Sequence, residues 1–315
     1  MINSISVVIP SFNESENIKE VCRRTVEVIK RLNIQKYELI FVENGSRDNS
    51  LELLKKINSE NKSIKIISLS RNFGYQAAIA VGLKYSNNDY ICVMDGDLQD
   101  PPEIIEKFSK KIIEGYDVVY GTRTKRKSSF INKIFYNLFY EIYSRLSEIE
   151  VPKKGGDFCL MNKKVVKNLV SLNEKNLFMR GLRSWVGFKQ VGIEYERNER
   201  YAGKTNFTFF KASALALDGF VSFSLIPLRF ILVTGIIISL ISFLFFIFLF
   251  SVKVFNFTSL LLPEGLTLTN AILTIFLGLV MFTLGIIGEY VGRIYYEVKN
   301  RPNYIINEII TWSFK

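Results

Sequence analysis

The sequence predicts an α/β domain with a mainly parallel sheet and nucleotide-binding architecture, followed by interfacial helices and a two-helix transmembrane hairpin. Three observations predict it. Short apolar runs alternate with amphipathic segments through residues 1–206, polar residues follow each run at one end, and two long uncharged stretches fill the last third.

The elements follow in order. Ile5 to Pro10 is an apolar strand, and Glu16 to Leu32 carries apolar residues at helical spacing. Tyr37 to Val42 is a strand, Asn49 to Ile57 a helix, and Ile64 to Leu69 a strand. Gly74 to Lys84 is helix, Tyr90 to Met94 strand, Pro102 to Ile113 helix and Val118 to Tyr120 strand. Strand and helix alternating in this way give parallel strands joined by crossovers.

From Phe230 to Phe250 no residue is charged, and a second uncharged stretch runs from about Leu266 to 288, ending at Glu289. About 20 apolar residues suffice to span a bilayer core. Arg229 precedes the first span, Arg293, Lys299 and Arg301 follow the second, and the loop between them holds only Lys253 and Glu264. The positive-inside rule then places the α/β domain, both termini and the tail 291–315 in the cytoplasm, on an integral protein of the cytoplasmic membrane. Residues 207–228, rich in Phe, are expected to form a juxtamembrane interfacial helix, and Phe130 to Leu146 a second amphipathic one. Core packing would explain either helix as well.

Composition narrows the chemistry. The chain has no histidine and three dispersed cysteines, Cys22, Cys92 and Cys159, so zinc sites and Ser-His-Asp chemistry lack their usual parts. The cysteines read as reduced, buried thiols. The formal charge is +11, but no basic recognition helix or aromatic RNA-binding signature accompanies it. An anionic lipid surface is the better partner, and nucleic acid is not expected. Carboxylates, lysines and arginines must carry any reaction.

Asp95-Gly96-Asp97 closes the run Tyr90 to Met94 and precedes Leu98-Gln99-Asp100-Pro101-Pro102. Two carboxylates one residue apart at a strand's carboxyl end suit Mg²⁺ or Mn²⁺. They also suit the capping of a helix opened by prolines. Gly-x-Gly-x-x-Gly and the P-loop signature are absent. The other strand ends instead read Pro10-Ser11-Phe12-Asn13-Glu14, Glu43-Asn44-Gly45-Ser46-Arg47-Asp48 and Ser70-Arg71-Asn72-Phe73-Gly74.

These ends, with Gly121-Thr122-Arg123, Gly155-Gly156-Asp157-Phe158, Phe178-Met179-Arg180-Gly181-Leu182, Trp185-Val186-Gly187-Phe188, Arg200-Tyr201-Ala202-Gly203-Lys204-Thr205 and Ile287-Gly288-Glu289-Tyr290, together carry a resemblance over nearly the whole chain. The sequence resembles the family 2 glycosyltransferases of GT-A type, and among them the polyprenyl-phosphate enzymes that include dolichol-phosphate mannose synthases and bactoprenol glucosyltransferases. The two-span tail is most similar to the bactoprenol enzymes.

The resemblance implies a metal-dependent inverting enzyme that moves one sugar, glucose from UDP-glucose, onto undecaprenyl or another polyprenyl phosphate for cell-envelope glycan modification. It implies Mg²⁺ or Mn²⁺ on Asp95, Asp97 and Gln99, and nucleotide-sugar contacts from Pro10, Asn13, Glu14, Glu43, Asn44, Asn72, Gln76, Asp95, Gly96 and Asp97. It gives Asp157 a catalytic role beside Asp95 and Asp97, as base or as orienter, and assigns Arg123, Lys133, Arg200 and Lys204 to the lipid phosphate. It also implies a homo-oligomer, a tetramer. One departure stands out: relatives often carry paired aspartates where this chain has Glu43-Asn44, and Asn44-Gly45 is also an ordinary turn signal. A dolichol-phosphate-mannose-type synthase using GDP-mannose, a processive polysaccharide synthase and a non-catalytic nucleotide-sugar-binding membrane scaffold stay open as alternatives.

Overall fold

Strand β1 (Ser4–Ser11) is buried at every residue, which a parallel strand covered on both faces requires. It pairs in parallel with β2 (Lys36–Glu43) and with β4 (Tyr90–Val93), and β2 pairs in parallel with β3 (Ile64–Leu69). The computed structural model describes residues 2–124, 155–172, 174–175, 177–198, 201, 266–311 and twelve positions between 231 and 251, all twelve helical.

Helices α1 (Ile18–Arg31), α2 (Ser50–Glu60), α3 (Tyr75–Lys84) and α4 (Ile104–Ile113) alternate with these strands. The amphipathic spacing of α1 buries Ile18, Val21, Cys22, Thr25, Val28 and Ile29 on one face. In α3 a Cβ added at Gly82 would lie 2.1 Å from Val8 Cγ1, so only glycine lets this helix sit on the sheet. Phe41, Phe108 and Phe158 are among the largest fully buried side chains, and the rings of Phe108 and Phe158 lie 4.8 Å apart.

Strands β5 (Val118–Arg123), β6 (Gly155–Asn162), β7 (Gln190–Tyr195) and β8 (Ile306–Ile310) complete an eight-stranded sheet in the order β7-β5-β6-β4-β1-β2-β3-β8. Helices α5 (Lys163–Ser171) and α6 (Met179–Trp185) lie between β6 and β7 in the chain. β6 runs antiparallel to β4 and β5, and β8 antiparallel to β3; the other pairings are parallel. This is the mainly parallel α/β sheet of the GT-A type. Cys22, Cys92 and Cys159 are all buried and free.

The final strand departs from the sequence expectation. Residues 291–315 are expected as a tail, yet helix α7 (Leu266–Lys299) runs on to Lys299, and 301–310 returns to the sheet edge. There the Ser70 N–H donates to Ile305 O at 3.0 Å, and Lys55 pairs with Glu308 at 3.0 Å. Residues 220–300 form a separate unit. Among the described residues one helix, Phe276–Lys299 within α7, is long and apolar enough to cross a membrane. Of the expected first span at 230–250, eleven positions are described and all are helical; the helices expected at 130–146 and 207–228 lie outside the described residues.

Candidate active site

The carboxyl ends of β1, β2 and β3 are tied to one another by hydrogen bonds that involve no cation. Asn13 sits at φ 56°, its Oδ1 accepts from the Arg47 N–H at 2.9 Å, and its own N–H donates to Ser46 Oγ at 3.0 Å. The Glu14 N–H donates to Ser50 Oγ at 3.0 Å, and its carboxylate accepts from Asn17. Glu43, 2% exposed, accepts from the Ser46 N–H and from Ser68 Oγ. Asn44 donates through Nδ2 to Gly74 O at 3.1 Å and Asn72 Oδ1 at 3.3 Å, and accepts the Phe73 N–H at 2.9 Å. Both of its amide protons are thereby used inside the protein. Gly45 makes this docking possible: its φ is +69°, and a Cβ would fall 2.5 Å from the Arg71 carbonyl carbon.

The loop after β4 is held by charge instead. Asp95 accepts from the Tyr75 hydroxyl and lies 3.6 Å from Arg197 Nη2. Burial, then the negative charges of Asp100 and Asp157, push its carboxyl up to about 6 against the pull of Tyr75 and Arg123. Pro10 is buried under this loop, and a Cβ on Gly96 would come within 3.2 Å of Pro10 O. Asp97 Oδ1 accepts the Gln99 N–H at 3.1 Å across Leu98, which holds φ 60° with its side chain 2% exposed. That conformation costs a β-carbon-bearing residue about 1 kcal/mol, and burial of the leucine holds it there. Asp100, 1% exposed, accepts from the Tyr195 hydroxyl and pairs with Arg123 at 3.6 Å and Arg197 at 3.5 Å.

Asp157 stands on β6 beside the sheet's centre. Its two oxygens face Gln76 Nε2 at 3.4 Å and Arg180 Nε at 3.3 Å, and Gln76 Oε1 accepts the Met179 N–H at 2.9 Å. Below it Arg183, 3% exposed, donates to Gly156 O at 3.2 Å and stacks its guanidinium 4.8 Å from the centre of the Tyr120 ring.

The structure therefore brings Asp95, Asp97 and Asp157 to one region and puts Gln76 next to Asp157. The Arg123 guanidinium is directed at Asp100 and Tyr195, because β5 and β7 pair in register with Arg123 opposite Tyr195. Lys133, Arg200 and Lys204 lie outside the described residues. Sequence reading missed the roles of Tyr75, Tyr195 and Arg197, none of which carries a spacing signal; Arg180 lies in a quoted motif.

Among the described residues no group of three carboxylate or thiol side chains is arranged to hold a metal by protein ligands alone. The donor set nonetheless fits a diphosphate-borne ion. Mg²⁺ commonly takes one or two carboxylates and completes its shell with water and substrate phosphate. Asp95 and Asp97 supply that number of carboxylates, and mutual repulsion among Asp95, Asp100 and Asp157 favours an added cation.

The family model described as glycosyl transferase family 2 matches residues 6–170. The glycosyltransferase YkcC of Bacillus subtilis is 43% identical over 304 residues, covering 96% of this chain and 93% of the relative. A Synechocystis glycosyltransferase is 40% identical over 311 residues, covering 98% and 96%. The SfII prophage-derived bactoprenol glucosyl transferase of Shigella flexneri is 36% identical over 312 residues, covering 96% and 97%. With this match over more than half its length and near-complete coverage of these relatives, the chain belongs to glycosyl transferase family 2 and is a glycosyltransferase.

Proposed function

We propose that this glycosyltransferase moves one glucose from UDP-glucose to a polyprenyl phosphate at the cytoplasmic face of a membrane, with Mg²⁺ or Mn²⁺ on Asp95 and Asp97. The observation that carries the reading is the carboxylate cluster of Asp95, Asp97 and Asp157 at the strand ends of a chain that also carries the apolar helix α7. Full-length similarity to a protein named bactoprenol glucosyl transferase supports the lipid acceptor and the sugar.

The metal supplies Lewis-acid neutralisation of the departing diphosphate. The chain's own residues do the rest. Asp97 is fixed by the Gln99 N–H, which limits the rotamers of its carboxylate. The loops of Asn13, Glu14, Glu43, Asn44 and Asn72 form a rigid donor side, in which exposed backbone groups and the outer face of Asn72 meet the nucleotide. Gln99 lends an amide oxygen at the metal edge.

A phosphate monoester has its second ionisation near about 6, so the acceptor is largely dianionic at neutral pH. One acceptor oxygen forms the new bond to the anomeric carbon as the bond to the diphosphate oxygen breaks on the opposite face, and no proton has to be removed. Asp157, engaged by Gln76 and Arg180, is then an orienter that accepts from a sugar hydroxyl. Arg123, which pairs with Asp100 in this structure, and Lys133, Arg200 and Lys204 are the lipid-phosphate candidates.

The test is transfer of radiolabelled sugar to undecaprenyl phosphate by purified protein in detergent, over a panel of UDP- and GDP-sugars with each metal. One labelled lipid, formed from UDP-glucose and abolished by chelator, is expected. Product from GDP-mannose alone would move the assignment to a mannose synthase. Metal-dependent donor binding without lipid product would favour the scaffold.

A further inference from the structure

Arg197 lies two residues beyond β7, against the loop that carries Asp95 and Asp97. Its neighbours are clipped to that loop through the backbone: the Asn198 N–H donates to Gln99 O at 3.0 Å, and the Tyr201 N–H to Asp97 O at 3.4 Å. Its guanidinium spans two carboxylates, with Nη2 3.6 Å from Asp95 Oδ2 and Nε 3.5 Å from Asp100 Oδ1. These are loose ion pairs, and Nε makes no hydrogen bond of good geometry.

The two carboxylates are not equally dependent on it. Asp100 is 1% exposed and has a second cation, Arg123, on its other oxygen, together with the Tyr195 hydroxyl. For Asp95, Arg197 is the one cation within ion-pair distance among the described residues, while Arg123 acts on it from further away. Arg197 can therefore release Asp95 while remaining tethered by Asp100, and Asp100 stays compensated by Arg123 throughout. At 29% exposure its side chain also has room to turn.

We infer that Arg197 is a displaceable internal counter-cation: it neutralises Asp95 before the metal arrives, yields that carboxylate to the divalent ion, and swings toward the diphosphate that comes with it. This rests on the metal reading above. A metal ion alone must evict Arg197 without offering it a new partner. A metal ion arriving with a nucleoside diphosphate supplies one, since a guanidinium pairs well with phosphate oxygens. Metal and nucleotide binding are consequently cooperative, and Arg197 is the positioning residue that couples them.

The experiment is titration of the full chain in detergent with Mn²⁺, free ion followed by electron paramagnetic resonance, with and without UDP. Asp97→Ala identifies the signal belonging to this site. Wild type is expected to bind Mn²⁺ weakly alone and much more tightly with UDP. Arg197→Gln is expected to bind Mn²⁺ alone about two- to fivefold more tightly, the weight of one partly exposed ion pair, and to lose most of the UDP enhancement. Arg197→Lys, which keeps the charge but cannot span both carboxylates, is expected to fall between and serves if the glutamine variant does not fold. Unchanged or weaker Mn²⁺ binding by these variants, with the UDP enhancement intact, overturns the inference while leaving the metal site standing. Absence of Mn²⁺ binding to wild type even with UDP overturns both.

Discussion

The loops after β1, β2 and β3 and the loop after β4 emerge from the same end of the sheet, yet they are held in opposite ways. The first three are cross-linked by hydrogen bonds that involve no cation, with Asn44 and Glu43 buried and engaged by their neighbours. The fourth is held by charges at 3.5–3.6 Å, with Asp95 and Asp100 each facing a cation that also serves another group. A network of satisfied hydrogen bonds has little to gain by exchanging partners, whereas loosely paired charges exchange readily when a stronger ion arrives. On the proposed function, one side is scaffold and the other carries the metal.

The comparison can be broken or sharpened by substitution. On the charged side, Asp157→Asn keeps the shape and the Gln76 and Arg180 neighbourhood but removes the carboxylate. Sugar transfer should fall by about 10² to 10³-fold with its pH profile unchanged, because the lost interaction orients rather than deprotonates. A profile that loses one ionisation in the variant would make Asp157 the base.

On the scaffold side, Gly45→Ala should lower stability by about 2–4 kcal/mol, since its Cβ would overlap the Arg71 backbone at a positive φ. Thermal or denaturant unfolding of the full chain measures it. Asn44→Asp restores an acidic pair at this strand end but removes the donors to Gly74 O and Asn72 Oδ1. It should cost about 1–2 kcal/mol in the same measurement, and a stabilised variant would show that the pair is not built around an amide.

The smallest effect concerns pH. Asp95 is raised from 3.8 to about 6, so between these values the folded, metal-free protein binds more protons than the unfolded chain. Its contribution favours folding at low pH and is lost as pH rises from about 4 through 6. With chelator present, Asp95→Asn should therefore flatten the decline of the unfolding midpoint over this window.

Much of this was legible in local pattern. The alternation from Ile5 to Tyr120 reports burial of each strand and one face of each helix, and Asp95-Gly96-Asp97 follows its strand in plain view. What escaped depends on sheet order. The pairing of Arg123 with Asp100 and Tyr195 is hidden because nothing in the sequence shows that β5 lies beside β7. The contact of Gln76 with Asp157 is hidden likewise, since α6 returns to Gln76 across about a hundred residues. Strand β8 has five residues whose alternation is overshadowed by the apolar helix before it, and only pairing with β3 defines it.

The most direct measurement sets the two sides against each other: glucose transfer from UDP-glucose to undecaprenyl phosphate by Asp97→Ala and by Asn44→Ala, at a temperature where both are folded. The account predicts a loss of about 10³-fold or more for Asp97→Ala and no more than about tenfold for Asn44→Ala, whose loop loosens without losing the metal side. Equal losses, or a near-wild-type rate from Asp97→Ala, would contradict it.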